Sequence, residues 1–138
     1  MRIFLDANIL VSVLNKVYPR FPFAARVVSL AGSKSFEVYT SPVCLAIAFY
    51  FAEKKSGTKH AKEKIDLLTQ KIQIAETNKK AVLNALRNKK VNDFEDGLEY
   101  YSALNSKCKF IITEDTKDFY FSEIKVMNAH DFLLNEVL

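Results

Sequence analysis

The chain has 138 residues, 49% of them hydrophobic, which suits a single domain with a full core that needs neither disulfides nor structural metal. Its two cysteines, Cys44 and Cys108, sit inside apolar runs and read as reduced, buried small side chains, which argues against a disulfide-stapled secreted scaffold. The net charge of +4 comes mostly from lysines at Lys54-Lys55, Lys59 to Lys64, Lys79-Lys80 and Arg87 to Lys90, either a solvated helix surface or a field that attracts a polyanion such as RNA. Met1 to Leu5 runs straight into an acid without the apolar region of a signal peptide, and Val43 to Ala52 is too short to span a bilayer. The expected compartment is the cytoplasm, with no membrane partner.

In chain order, Arg2 to Leu5 predicts a short buried strand, and a helix starts at Asn8 with Ile9, Leu10, Val13 and Leu14 at helical spacing. Pro22 suits the first turn of a helix reaching about Ala31, and Glu37 to Thr40 is a second strand. Ser41 and Pro42 read as N-cap and first residue of a helix, apolar nearly all round through Phe51, that reaches about Lys55 and must be buried or form an interface. Gly57 ends it, a helix over Lys59 to Lys71 follows, then a strand near Ile72 to Ala75 and a helix from Asn78 to about Asn88. Asn92 and Glu95 predict a capping box for the next helix, with an apolar stripe of Phe94, Leu98, Tyr101 and Leu104. Lys109 to Thr113 is a central strand, Lys125 to Met127 an edge strand, and Asp131 to Val137 a last helix capped by His130. Strands alternating with helices predict an α/β fold, three layers around a central, mainly parallel sheet, over residues 1–138 as one domain.

The acids fall where such a sheet keeps its ligands. Asp6 follows the first strand and Asp115 the Phe110 to Thr113 strand, and the carboxyl ends of parallel strands form the ligand crevice. Asp93 and Asp96 lie in the first turn of a helix, about 60° apart around its axis. Three segments can therefore bring carboxylates together, and a divalent cation, Mg²⁺ or Mn²⁺, would neutralise them. Taken singly, Asp93, Glu95 and Asp96 also suit the positive end of a helix, and Asp115 and Asp118 suit a turn.

These segments resemble a known family. Phe4-Leu5-Asp6-Ala7-Asn8-Ile9-Leu10, then Asp93-Phe94-Glu95-Asp96-Gly97-Leu98, then Ile112-Thr113-Glu114-Asp115-Thr116-Lys117-Asp118-Phe119 resemble, in order and spacing, the motifs of PIN domains, and within them the bacterial VapC-toxin type. The resemblance implies about five parallel strands and a Mg²⁺- or Mn²⁺-dependent endoribonuclease, the toxin half of a toxin–antitoxin pair, with RNA as substrate, a cognate antitoxin as partner and a homodimer as the assembly. It implies Asp6, Asp96 and Asp115 as catalytic acids and metal ligands, Asp118 or Asp93 in support, and Asn8 and Thr113 holding the carboxylates by hydrogen bonds. One position departs from the pattern. Where PIN nucleases usually carry a glutamate, six residues beyond Ser41, this chain has Ile47, and Glu53 points about 120° away from it. A PIN-fold module that binds RNA or protein without cleaving it is therefore the alternative. A phosphoacceptor domain of receiver type is a third reading, but it wants paired acids directly after the first strand, where Asp6-Ala7-Asn8 offers one.

Overall fold

The structure, a computed structural model, describes residues 1–138. Its elements are β1 (Arg2–Leu5), α1 (Ala7–Leu14), α2 (Phe21–Ser29), β2 (Glu37–Thr40), α3 (Pro42–Thr69), β3 (Gln73–Ile74), α4 (Lys79–Arg87), α5 (Phe94–Asn105), β4 (Phe110–Ile112), β5 (Lys125–Met127) and α6 (Ala129–Phe132), with a π-helical turn at Leu133–Val137. The five strands form one parallel sheet in the order β3-β2-β1-β4-β5. Ile3, Phe4, Leu5, Ile111 and Ile112 of its two inner strands are fully buried, as a parallel sheet covered on both faces requires. No helix is long and apolar enough to cross a membrane.

The strand order reverses its direction of travel at the β1–β4 pair. The connections after these two strands leave toward opposite sides, and a crevice opens between them at the carboxyl edge. The register pairs Leu5 with Ile112, so the next residues, Asp6 and Thr113, stand side by side at that edge.

Short polar side chains start the helices. Asp6 caps α1 by accepting from Ala7 N, one residue earlier than the predicted start at Asn8. Ser41 accepts from Cys44 N at 3.2 Å with Pro42 behind it, as expected. Gly57, at φ +84°, lies in a positive-φ region that glycine enters without penalty, and its non-helical backbone kinks α3 into two helical segments, in line with the predicted end of the first helix there. The first segment is not apolar all round in its surroundings: Cys44, Ala48 and Ala52 are buried, whereas Tyr50 and Phe51 are exposed. Asn128, not His130, caps the last helix, accepting from Asp131 N at 2.7 Å.

Two expectations for α5 are corrected. Its cap is Asp93, which accepts from Asp96 N at 3.1 Å, so no Asn92–Glu95 capping box forms. Its buried face is Gly97, Leu98, Glu99, Tyr100, Ser102 and Ala103, while Phe94 and Leu104 of the predicted stripe are exposed. The reason is close approach: a Cβ on Gly97 would stand 2.8 Å from Val91 Cγ1 and 3.0 Å from Ala85 Cβ, so α5 meets α4 through small residues. Cys44 and Cys108 are free and buried, as read from the sequence.

Candidate active site

The crevice beyond β1 and β4 is lined by Asp6, Asp96, Asp115 and Asp118, joined by Glu95 and Glu99. These acids come from the three predicted segments: the start of α1, the first turns of α5, and the loop after β4. Arg20 is the one cationic residue in the lining; its Nε lies 3.8 Å from Glu114 Oε2, and its side chain is half exposed.

A polar frame fixes the innermost carboxylates. Thr113 Oγ1 donates to Asp6 Oδ2 at 2.7 Å and accepts from Asp115 N at 3.0 Å and Asn8 Nδ2 at 3.1 Å. Asn8 Nδ2 also donates to Asp115 Oδ2 at 3.1 Å, while Asn8 Oδ1 accepts from Glu114 N at 3.2 Å. Two residues thus tie the ends of β1 and β4 together and orient both aspartates from behind. Thr40 Oγ1 braces the other side of β1 by donating to Leu5 O at 2.9 Å.

The acids press on one another. Asp96 is pushed up to about 7, by burial first and then by the charges of Asp93, Asp118, Asp6 and Glu95. Asp118 is raised by loss of water and then by Asp115, Asp6 and Asp93. Asp93 does not line the crevice; its Oδ1 caps α5, and it reaches the site through its charge on Asp96.

Glu99 and the role of Cys44 went unnoticed in the sequence. Glu99 is 2% exposed, held well above the usual carboxylate range by burial and then by its hydrogen bond with Asp6. Cys44 Sγ donates to Glu99 Oε1 at 2.8 Å; burial, then the charges of Glu99 and Asp6, keeps that thiol protonated. Asp6, Cys44 and Glu99 each offer a ligand atom within 4.8 Å of the others. The signal available was spacing: Glu99 follows Asp96 by three residues and so shares its helix face. Ile47 lines the same crevice from α3, half-buried, and Glu53 is turned to Thr58, whose Oγ1 donates to it at 2.9 Å.

The aromatic pair on α5 belongs to packing. Tyr100 is buried edge-on against Phe121, and Tyr101 accepts from Asn88 Nδ2 at 3.0 Å. Val17 and Phe51, both exposed, form an apolar lip to the acidic crevice. A separate groove, of about 340 Å³ between α2 and the C-terminal helix, is lined mainly by apolar residues such as Phe23, Leu133 and Val137 and holds no acidic side chain.

So dense a set of carboxyl groups has one neighbouring cation, Arg20, at its edge and none within it. The donors are oxygens apart from a protonated thiol, which suits a hard divalent cation. The crevice therefore defines a class: a parallel α/β domain with an acidic site able to accept a divalent metal. The family model described as PIN domain matches residues 2–117, and the chain belongs to that family. The chain is 25% identical over 138 residues to Ribonuclease VapC1 of Aquifex aeolicus, covering 95% of this chain and 92% of that protein. Its fold is similar to that in the structure of VapBC-1 from nontypeable Haemophilus influenzae, with a TM-score of 0.72 and 20% identity over 94% of this chain and 99% of that one. It is likewise similar to the structure of VapBC2 from Rickettsia felis bound to a promoter DNA fragment, with a TM-score of 0.70 and 18% identity over 93% and 98% of the two chains.

Proposed function

We propose that residues 1–138 act as one PIN-type, Mg²⁺- or Mn²⁺-dependent endoribonuclease, the toxin component of a toxin–antitoxin pair, working in the cytoplasm. The observation that carries this reading is the convergence of Asp6, Asp96, Asp115 and Asp118 on one crevice in a chain of the PIN family. The Aquifex aeolicus relative, a ribonuclease by name, supports RNA as substrate, and the VapBC structures support an antitoxin as partner.

Asp6, Asp96 and Asp115 would hold the cation, with Asp118 at the lip. When bound, a divalent ion supplies Lewis acidity for phosphodiester hydrolysis and offsets negative charge at phosphorus. The chain's own residues do the rest. Thr113 and Asn8 keep Asp6 and Asp115 aimed into the crevice by the hydrogen bonds described above. Arg20 stands where a phosphate of an approaching strand would pass, and its single long contact to Glu114 leaves guanidinium donors free. The lysine-rich surface favours a polyanion over other substrates. Tyr50 and Phe51 expose apolar area on α3, which supports a homodimer or an antitoxin seated there.

A second reading, a PIN-fold module that binds RNA or protein without cleaving it, is favoured by Ile47, which gives the α3 wall of the crevice no oxygen. Induced expression in a bacterial host separates the two. The nuclease reading expects growth arrest with loss of intact RNA, relieved by Asp6→Asn. Arrest that persists with Asp6→Asn and intact RNA favours the binding module.

A further inference from the structure

We propose that Glu99 is a metal-binding residue of this crevice, placing a carboxylate oxygen beside Asp6 and Asp96 from the second turn of α5. The proposal rests on the metal-dependent reading above and extends it to a residue that no motif marks.

Asp6 and Glu99 are the only buried acids in the chain, at 8% and 2% exposure, and they stand against each other. A buried carboxylate is stable only with a compensating charge or a full set of hydrogen bonds. No lysine, arginine or histidine forms an ion pair with Glu99; its partners are the Cys44 thiol and the Asp6 carboxyl group. As a carboxylate, Glu99 has no protein cation to pair with, and a metal ion in the crevice would supply that charge.

The geometry suits that occupant. Oxygens bound at about 2.1 Å to one octahedral Mg²⁺ lie roughly 3 Å apart when adjacent and roughly 4 Å apart when opposed. The ligand atoms of Asp6 and Glu99 lie within 4.8 Å of each other, close to that span. Asp96, three residues before Glu99, lines the same crevice, so one helix face presents both. Cys44 Sγ at 2.8 Å from Oε1 fixes the Glu99 side chain, leaving the rest of the carboxyl group toward Asp6. A hard ion takes the oxygens in preference to the thiol, so Cys44 positions the ligand and is not one. Ile47 on α3 offers no oxygen, and Glu99 supplies one to the same crevice from α5.

The test is a Mn²⁺ titration of the full chain, followed by the electron paramagnetic resonance signal of free Mn²⁺, on the parent, Glu99→Gln, Asp6→Asn and Asp96→Asn. Glutamine keeps the volume and the hydrogen bond to Cys44 and removes the charge. The expected result is a Kd raised about tenfold or more by Glu99→Gln, with a melting temperature in EDTA no lower than the parent's. A parent-like Kd in Glu99→Gln, together with weakened binding in Asp6→Asn, overturns the role of Glu99 and leaves the metal site standing. Parent-like binding in all three variants overturns the site itself, and this proposal with it. If Glu99→Gln does not fold, Mn²⁺-soaked crystals of the parent decide. An anomalous peak within about 2 Å of a Glu99 oxygen supports the assignment, and a peak on Asp6 and Asp96 that leaves Glu99 uncoordinated refutes it.

Discussion

Thr113→Val removes a single oxygen from the centre of the polar frame and changes almost nothing else. Thr113 is fully buried, valine nearly matches its shape, and the hydroxyl serves three partners: Asp6 Oδ2 at 2.7 Å, Asp115 N at 3.0 Å and Asn8 Nδ2 at 3.1 Å. A hydrogen bond to a charged acceptor contributes about 1.5–3 kcal/mol net, a neutral one about 0.5–1.5 kcal/mol. Asn8 keeps its contact with Asp115 Oδ2, and the Asp115 amide, on an exposed residue, can turn to water. The expected cost is therefore dominated by Asp6 and amounts to about 2–4 kcal/mol, read as a lower midpoint in urea denaturation in EDTA. Asp6 also loses its orientation, so Mn²⁺ affinity should fall about 10–100-fold. Thr113→Ser, which keeps the hydroxyl, should lose only about 1 kcal/mol from the missing methyl and keep the parent's Mn²⁺ affinity. A Thr113→Val chain within about 0.5 kcal/mol of the parent, with unchanged Mn²⁺ binding, would refute the frame.

Three further outcomes follow from the same contacts. Asp96, raised from 3.8 to about 7, favours its protonated form in the folded chain. Its contribution to metal-free stability is thus complete below pH 3.8 and lost as pH rises through about 7, and Mn²⁺ should bind more tightly at pH 8 than at pH 6 as that proton leaves; a pH-independent Kd, or an unchanged stability profile in Asp96→Asn, contradicts this. Gly97→Ala gains about 1 kcal/mol of helix propensity but sets a methyl 3.0 Å from Ala85 Cβ, which cannot rotate away. With overpacking at about 1–3 kcal/mol, chemical denaturation should show a net loss of roughly 1 kcal/mol. Ile47→Glu should lower the melting temperature in EDTA, because a carboxylate enters a half-buried apolar contact, and should gain more from Mn²⁺ than the parent does; equal metal shifts in both chains would show that position 47 does not reach the ion.

The sheet and the acids at its carboxyl edge were legible because their signals are local. An apolar run ended by an acid marks β1 and Asp6, and the hydrophobic-Thr-x-Asp segment marks β4 and its loop. Asn8 and Thr113 could be assigned as supports only through the family resemblance, yet the Leu5–Ile112 register places them together. The interior of α5 was not legible. Phe94 and Leu104 suggest a stripe that the fold leaves outside, because α5 packs on α4 through Gly97 and on the core through Tyr100 and Ala103. That stripe drew no attention to Glu99, and Cys44 was read only as a buried small side chain. Their contact joins residues 55 positions apart, a separation that periodicity does not see. The cap is Asp93 and not Asn92, and since both residue types cap equally well, residue type alone could not choose between the two neighbours.

The most direct measurement is the rate at which the purified chain cuts a 5′-labelled RNA as Mn²⁺ is titrated from EDTA upward, run beside Asp6→Asn and Asp115→Asn. The account predicts no cleavage in EDTA, a rate that rises and saturates with Mn²⁺, and a loss of at least about 100-fold in either variant. Cleavage that proceeds in EDTA, or that survives Asp6→Asn at the parent rate, would contradict it.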